Sequence, residues 1–214
     1  MPKKTFLNLS EEKQEKIMRA AIAEILNNGY EKANIGTIAK NAGVAKGSMY
    51  QYFENKKELF LFSVQWTVKL IMSKYGIGTA SANDINIFDY MLQNSRSIWI
   101  QMREERELII FIQDIFLGKY SNLTDESMEY MLRVSDEYLL KQVQDGKRKG
   151  YIRKDIDDKI LCLYLTGVSY KIKEHMMRKA RESGRDMIDD DYDTVEKDIN
   201  DMVELMKNGM GNRE

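Results

Sequence analysis

One proline stands in the 214 residues, at position 2, and this constrains the fold more than any other feature of the sequence. Proline breaks helices because it lacks a backbone N–H and its ring clashes with the preceding turn, so nothing after the second residue obliges a helix to end. The chain also carries 14 methionines, and it is rich in leucine, lysine and glutamate, which are all good helix formers. It is therefore predicted to be all-α.

Capping residues and apolar spacing divide the amino-terminal part into short helices. Ser10 predicts the N-cap of a first helix over about residues 11–28. Asn34 predicts the cap of a second helix, which Gly43 ends in a left-handed conformation. A third helix is predicted over about residues 45–52, with Val44, Met49 and Phe53 on its buried face and Tyr52 among its exposed residues. Two short helices separated by a glycine turn are typical of a helix-turn-helix unit.

The rest of the chain predicts longer helices. Asn55 starts a fourth helix that continues towards Gly76 and is long enough to link two domains. Asp155, with a second aspartate three residues later, predicts the start of a helix whose residues 160–165 are apolar on nearly every side, so other helices must enclose it. A final helix follows the acidic run 186–193, which is predicted to be a solvated loop.

Charge is unevenly distributed along the chain. The formal net charge of −1 by itself argues against a nucleic-acid partner. Residues 1–60, however, contain ten Lys/Arg and seven Asp/Glu, a net charge of +3, whereas the remainder contains 23 and 27, a net charge of −4. The amino-terminal end is therefore the part predicted to meet phosphate.

Several function classes lack the residues that they need. Cys162 is the only cysteine and His175 the only histidine, which gives no internal disulfide, no zinc cluster and no nucleophile–base pair. No catalytic residue, metal or cofactor is predicted, and the chain is not expected to be an enzyme. No apolar run approaches the roughly 18 to 20 residues that a membrane span needs, so a cytoplasmic protein without membrane contact is predicted.

The segment 34–60 carries the candidate site. Asn34 is predicted to donate to a phosphate at a helix end, whereas Lys46 and Ser48 project from the start of the reader helix, which usually meets base edges. Tyrosine hydroxyls and a lysine add contacts to the sugar-phosphate backbone. The tyrosines can alternatively be core aromatics, and the lysines ordinary surface residues. The predicted DNA contacts are Asn34, Thr37, Ala45, Lys46, Gly47, Ser48, Tyr50, Gln51, Tyr52 and Lys56.

This segment resembles the amino-terminal domain of TetR-family transcriptional repressors. The resemblance covers about residues 10–70. Asn34 departs from the pattern, since a hydroxyl residue is more usual there, and so does Gly36, where a longer side chain often contacts DNA. Phosphate contacts at these positions are therefore fewer or are made by Thr37. The matching residues are Gly29-Tyr30, Ile38-Ala39, Ala42-Gly43-Val44, Lys46-Gly47-Ser48-Met49-Tyr50, Tyr52-Phe53, Lys56 and Glu58-Leu59.

The resemblance implies an all-α protein with two domains. A three-helix DNA-binding domain over residues 10–70, with the helix-turn-helix at about 34–53, is joined by a long helix to an effector-binding and dimerisation domain over 71–208. The implied function is that of a repressor, which binds a palindromic operator as a homodimer and is released by a small apolar or amphipathic effector. Dimerisation is implied through the last two long helices, at about 156–182 and 190–207.

Aromatic and methionine side chains are the candidates for an effector pocket, although residues at such helical spacing are more often ordinary core. Two rival functions remain open. One is a DNA-binding protein that is controlled by a partner protein or has no ligand. The other is a helical enzyme or lipid carrier that retains a degenerate helix-turn-helix. The pocket candidates are Trp66, Trp99, Phe111, Met131, Tyr138, Tyr164 and Tyr170.

Overall fold

The computed structural model describes residues 1–75 and 86–209. Within these ranges the chain forms α-helices and short 3-10 turns without any β-strand, which confirms the predicted all-α fold. The helices are α1 (Lys4–Leu7), α2 (Glu11–Lys32), α3 (Ile35–Asn41), α4 (Lys46–Tyr52), α5 (Lys56–Tyr75), α6 (Ile87–Met102), α7 (Arg106–Phe116), α8 (Thr124–Lys149), α9 (Asp158–Glu182) and α10 (Tyr192–Asn208).

The predicted caps account for the amino-terminal helix ends. The Ser10 hydroxyl accepts a hydrogen bond from the Lys13 N–H at 3.4 Å. Gly29, with φ 74°, interrupts α2 where an end was predicted, and one further turn continues to Lys32. Gly43, with φ 69°, follows α3. The predicted end of the fourth helix near residue 76 and the polar loop after it lie outside the described residues.

The start of α9 differs from the prediction. Asp157, not Asp155, is its N-cap, and its carboxylate accepts a hydrogen bond from the Lys159 N–H at 2.9 Å. The Asp155 carboxylate is instead engaged by the Arg153 guanidinium through two hydrogen bonds of 2.8 and 2.6 Å. This pairing lowers the pKa of Asp155 to about 2. Asp155 was wrong as a cap because its carboxylate is already committed to a bidentate ion pair.

The chain divides into two compact units, of which unit 1 comprises Met1–Leu70 and Glu107–Glu129. In its main core, apolar side chains of α2 and α3 meet the inward side of α4. Residues such as Ala39 and Ala42 are small enough for helices to cross closely. The fully buried Phe6, which precedes the predicted domain, belongs to the same core. Together these contacts hold two short helices that could not be stable in isolation.

Unit 2 comprises Ile71–Arg106 and Tyr130–Glu214. In it α6 packs along α10, around a core that includes Phe88, Val143 and Val203. Gly146 is required on α8, because a Cβ there would lie 2.6 Å from the Ile152 Cδ1 atom. The division into units does not test the predicted domain boundaries, which stay predictions.

The acidic run 186–193 is not the solvated loop that was predicted. Met187, Ile188 and Tyr192 are buried. The aspartates pair with arginines instead of facing solvent alone, since Arg106 binds Asp189 at 2.6 Å. Opposite charges within reach neutralise the run, and this lets its apolar residues pack inward. The remaining ion pairs of this segment join Arg106 to Asp186, Arg181 to Asp186, Arg185 to Asp190, Arg103 to Asp191, and Arg96 to Asp193.

None of the helices in residues 1–75 and 86–209 combines the length and the apolar character that crossing a bilayer requires.

Candidate nucleic-acid interface

Asn34 organises the start of α3. Its side-chain oxygen accepts hydrogen bonds from the N–H groups of Gly36 at 2.7 Å and Thr37 at 3.4 Å. Its own N–H donates to the carboxylate of Glu24 at 3.0 Å. The oxygen is thus occupied by the cap, and the amide nitrogen is the part of this side chain that can still donate to a phosphate.

The turn between α3 and α4 is held by backbone hydrogen bonds. The Val44 N–H donates to the Ala39 carbonyl at 2.9 Å, across the left-handed residue Gly43. Met49, on α4, and Phe53, immediately after it, are 2% and 3% exposed and point into the core of unit 1, as predicted. The opposite side of α4 is therefore directed outward.

Most of the predicted DNA contacts lie on this outward side. Ser48 and Lys56 are half-buried, and Tyr52 is buried. Tyr50 is 53% exposed, unusually high for a tyrosine, with its hydroxyl able to donate to a phosphate. The exposed members of the predicted set are Asn34, Thr37, Ala45, Lys46, Gly47, Tyr50 and Gln51.

Tyr52 is buried, contrary to the expectation that its side chain is exposed. It is 7% exposed, and its ring packs edge-to-face on Phe6, with the ring centroids 5.9 Å apart. The expectation was wrong because the core partner Phe6 lies outside the segment that carries the motif. A contact between the Tyr52 hydroxyl and the sugar-phosphate backbone of DNA stays a prediction. In such a contact the ring packs in the protein core, and only the hydroxyl reaches the DNA.

Lys56 has partners within the protein. Its ammonium donates to the carbonyls of Glu31 at 2.8 Å and Ala33 at 3.5 Å, and it lies 4.8 Å from the ring centroid of Tyr30. These bonds place a positive charge beside the last carbonyls of α2, immediately before Asn34. Lys56 therefore stabilises the approach to α3, whether or not it also contacts a phosphate.

Lys46 lies beside Gly36. A Cβ on Gly36 would lie 3.0 Å from the Asn34 Oδ1 atom, and 3.6 Å and 3.8 Å from the Lys46 Cδ and Cε atoms, which are ordinary van der Waals distances. The lysine of α4 therefore borders the start of α3 on the same exposed surface.

Several carboxylates of unit 1 are engaged by partners within the unit. Glu12 and Glu15 form ion pairs of 2.7 Å with Lys16 and Arg19 along α2. Glu24 is 7% exposed and bonded to the Asn34 backbone. Within residues 1–75 and 86–209, no ion pair engages Lys46. An uncompensated cation at the amino end of the reader helix attracts phosphate.

Sequence reasoning missed two contributors to this site, Glu24 and Phe6. Glu24 lies three residues after the buried Ala21 on the apolar face of α2, and such a carboxylate at a core position signals a specific backbone partner. Phe6 is an apolar residue in a polar amino-terminal stretch. Neither signal identifies the partner, because both contacts join distant parts of the sequence.

The seven pocket candidates are divided between the two units. Trp66 and Phe111 belong to unit 1, where Trp66 packs against the main core under the Arg19 guanidinium, 5.8 Å from its ring centroid. Phe111 is fully buried and stacks edge-to-face on Phe60 at 5.4 Å. Both pack among core side chains of unit 1, and their role in effector binding stays a prediction.

The other five candidates lie in unit 2. Trp99 is buried and donates its ring N–H to the Asp190 carbonyl at 3.2 Å. Tyr164 is 41% exposed, and its hydroxyl donates to the Leu205 carbonyl at 2.9 Å, so it faces outward and not into a cavity. Met131 is buried, whereas Tyr138 and Tyr170 are half-buried. Their role in effector binding stays a prediction.

A capped short helix, a glycine turn and a second short helix with an exposed lysine at its start have the geometry of a helix-turn-helix unit. Residues 17–61 match the family described as bacterial regulatory proteins, tetR family. This match covers about a fifth of the chain, and over these residues the chain is similar to the tetR family.

Individual relatives agree with this assignment. The chain is similar to a "Fatty acid metabolism regulator protein" of Bacillus subtilis, with 44% identity over 45 residues, and to the regulator YvdT of the same species, with 46% identity over 59 residues. These matches cover 21% and 28% of this chain, and they span only 23% and 28% of the relatives' own lengths. A crystal structure of FadR from Bacillus subtilis in complex with stearoyl-CoA has a TM-score of 0.67 at 19% identity, over 92% of this chain and 99% of that one. This last likeness shows that the fold extends beyond the DNA-binding domain.

Proposed function

We propose that the protein is a transcriptional repressor that binds an inverted-repeat operator as a homodimer and is released by an amphipathic effector. The observation that carries the proposal is the exposed surface of α3 and α4, with Lys46, Gly47 and Tyr50 directed outward while Met49 and Phe53 anchor the helix. We place the protein in the cytoplasm, where an operator is accessible.

The exposed residues of this surface divide by role. Lys46 and Ser48, at the amino end of α4, are assigned to base edges in the major groove. Asn34, Thr37 and Tyr50 are assigned to phosphates on both sides of the groove, which orient the helix without reading sequence.

Selection of bound fragments from random duplex DNA tests the proposal. We expect enrichment of an inverted repeat, with half-sites about one helical turn apart or a multiple of that distance. Affinity for the selected duplex should fall steeply with salt, because phosphate contacts release counterions. Failure to enrich any sequence, or enrichment of a single unrepeated site, would contradict the proposal.

The homodimer is supported by an unpartnered apolar face on α9. Ile160 is 57% exposed, Leu163 54% and Tyr164 41%, at the spacing of one helix face, and the exposed Gly167 continues it. This is the segment predicted to be enclosed by other helices, and residues 1–75 and 86–209 of the same chain leave it open. Leu205 of α10, 38% exposed, is adjacent, since its carbonyl accepts the Tyr164 hydroxyl. A second copy of the same two helices would cover this face in a four-helix bundle.

The effector is assigned to an acyl thioester or a related anionic amphipath. Support comes from the fatty-acid regulator among the relatives and from the stearoyl-CoA of the FadR crystal structure. Lys173 of α9 is exposed, and its ammonium can pair with the anionic part of such a ligand.

Replacing Lys173 with glutamine should desensitise the protein to the effector. Without acyl-CoA, the variant is expected to bind the selected duplex like the wild type; with it, about tenfold more should be needed for release, since one charge-assisted hydrogen bond is lost. Lys154→Gln, at an exposed loop lysine, is the matched control. Fluorescence anisotropy of labelled duplex titrated with stearoyl-CoA measures both. Equal release of wild type and Lys173→Gln would remove Lys173 from the effector site.

A regulator without a small-molecule effector is the second candidate. It is favoured by the cavity at the carboxyl end of α9, which holds about 80 Å³, is lined by residues such as Met176, Asp190 and Thr194, and includes none of the predicted pocket residues. This volume is far below the several hundred cubic ångströms typical of ligand sites. Mass spectrometry of compounds that copurify with the protein, together with duplex release by acyl-CoA, separates the two candidates.

A further inference from the structure

The amino-terminal segment, residues 1–9, lies against the end of the reader helix α4. Three consecutive carbonyls of its last turn each accept a hydrogen bond from this segment. The Lys3 ammonium donates to the Tyr50 carbonyl at 2.9 Å, the Thr5 hydroxyl donates to the Gln51 carbonyl, and the Lys3 backbone N–H donates to the Tyr52 carbonyl at 2.9 Å. The bonds span 46 to 49 residues of sequence, so they are tertiary contacts.

An aromatic anchor fixes the same segment to the core. Phe6 is fully buried, with its ring centroid 5.9 Å from Tyr52, 4.9 Å from Phe53 and 5.4 Å from Phe62. Two of these partners end the reader helix, and the third lies on α5. Because the anchor follows Lys3 and Thr5 directly, it determines where their donors can reach.

Helix α4 depends on such outside support. A helix leaves its last four carbonyls without intrahelical partners, and α4 has only seven residues, fewer than the roughly 12 to 15 that make an isolated helix even marginally stable. The next residue, Phe53, is extended and has no αL turn that would cap the carbonyls locally. Donors from the amino-terminal segment take the place of that local cap.

We propose that this segment is a tertiary C-cap that sets the orientation of the reader helix, with Lys3 and Thr5 as positioning residues for sequence recognition. The inference rests on the proposed DNA binding and adds a source of base discrimination outside the helix-turn-helix. Base-reading side chains must be held within about 0.5 Å of their productive geometry. A reader helix whose last turn is released would still meet phosphates but would discriminate poorly between bases.

Two simpler roles for these residues give different results. A phosphate contact by Lys3 would strengthen binding to every duplex alike, and its loss would reduce the salt dependence. A role in stability alone would lower the unfolding temperature without changing the ratio of affinities for selected and scrambled duplexes. If the residues position the reader helix, replacing them lowers the ratio of affinities for selected and scrambled duplexes while the protein stays folded.

The test compares Thr5→Val with Thr5→Ser, and Lys3→Met with Lys4→Met. Valine keeps the shape of threonine without its hydroxyl, and serine restores the hydroxyl. Lys4 is an exposed lysine one residue away whose ammonium forms no hydrogen bond to α4 within the described residues, so its loss matches the charge change. The full-length variants are titrated against the selected duplex and a scrambled duplex of equal length.

Thr5→Val and Lys3→Met are expected to lower the affinity ratio about tenfold, the scale of one net hydrogen bond, while scrambled-duplex affinity changes little for Thr5→Val. Thr5→Ser, which keeps a hydroxyl, should have the affinity ratio of the wild type, and Lys4→Met should leave the ratio unchanged. An unchanged ratio in both Thr5→Val and Lys3→Met would overturn the proposal, as would an equal loss in Lys4→Met.

Hydrogen exchange in the protein without DNA separates this proposal from the proposed function. The amides of residues 49–53 should exchange faster in Thr5→Val than in the wild type, and serine should restore their protection. Faster amide exchange in Thr5→Val, together with no sequence-selective binding by the wild type, would contradict the proposed function and support the C-cap. Unchanged amide exchange in Thr5→Val, together with normal operator binding, would contradict the C-cap alone.

Discussion

Replacing Leu163 with arginine is expected to make the protein monomeric and to lower its affinity for the selected inverted repeat by a factor of about 100 or more. Leu163 is 54% exposed in the isolated chain but would be central in the proposed four-helix bundle. In a two-fold dimer each interface buries two added guanidinium groups, and an unpaired buried charge costs several kcal/mol. A monomer holds a single reader helix and loses the second half-site.

Ile100→Arg is the matched control for this change. Ile100 is a similar aliphatic side chain of unit 2, 56% exposed, but it lies on α6. Its replacement should leave both the dimer and DNA binding unchanged. Analytical ultracentrifugation measures the association state, and circular dichroism checks that the helices persist. A dimeric Leu163→Arg protein with normal operator affinity would show that the α9 face is not the interface.

Gly47→Gln should abolish most sequence-specific binding while leaving the free protein folded and slightly more stable. An added Cβ at Gly47 meets no atom within 4 Å, so the unbound protein accommodates it. Glycine in a helix interior costs roughly 0.5–1 kcal/mol relative to alanine, which the substitution recovers in part. On DNA, the added side chain would stand where the backbone of α4 approaches the duplex, and we expect a loss of about 100-fold, the scale of several lost contacts.

Gly47→Ala provides the graded comparison, because its single methyl group should weaken binding less than glutamine does. Thermal unfolding of both variants is measured beside duplex titrations. Stability and affinity should change in opposite directions, a result that a general folding defect cannot produce. Normal operator affinity of Gly47→Gln would place the duplex away from the amino end of α4.

The positions of Lys46 and Gly36 show how the interface departs from the usual family pattern without losing positive charge. The Lys46 stem of α4 lies at ordinary contact distance from a Cβ built at Gly36, so one exposed cation lies beside the start of α3. Asn34 accepts two cap hydrogen bonds with its oxygen and retains its amide nitrogen for phosphate. Both features are consistent with a phosphate-binding surface that uses fewer side chains from α3.

The sequence alone determined the helical architecture and the location of the helix-turn-helix. These features depend on local chemistry: a chain without internal proline, Ser10 and Asn34 as caps, and Gly43 with positive φ where α3 ends. Capping and left-handed turns involve residues within four positions of each other, so their signals can be read in sequence order. The inward direction of Met49 and Phe53 followed from helical spacing in the same way.

Only the tertiary structure showed which side chains that are far apart in the sequence contact each other. The burial of Tyr52 depends on Phe6, and the pairing of the acidic run depends on arginines from other helices, as with Asp189 and Arg106, 83 residues apart. Lys56 finds its partners at the end of α2, and Thr5 at the end of α4. The partner of a side chain is a property of how helices pack, and spacing along one helix carries no record of which other helix lies opposite.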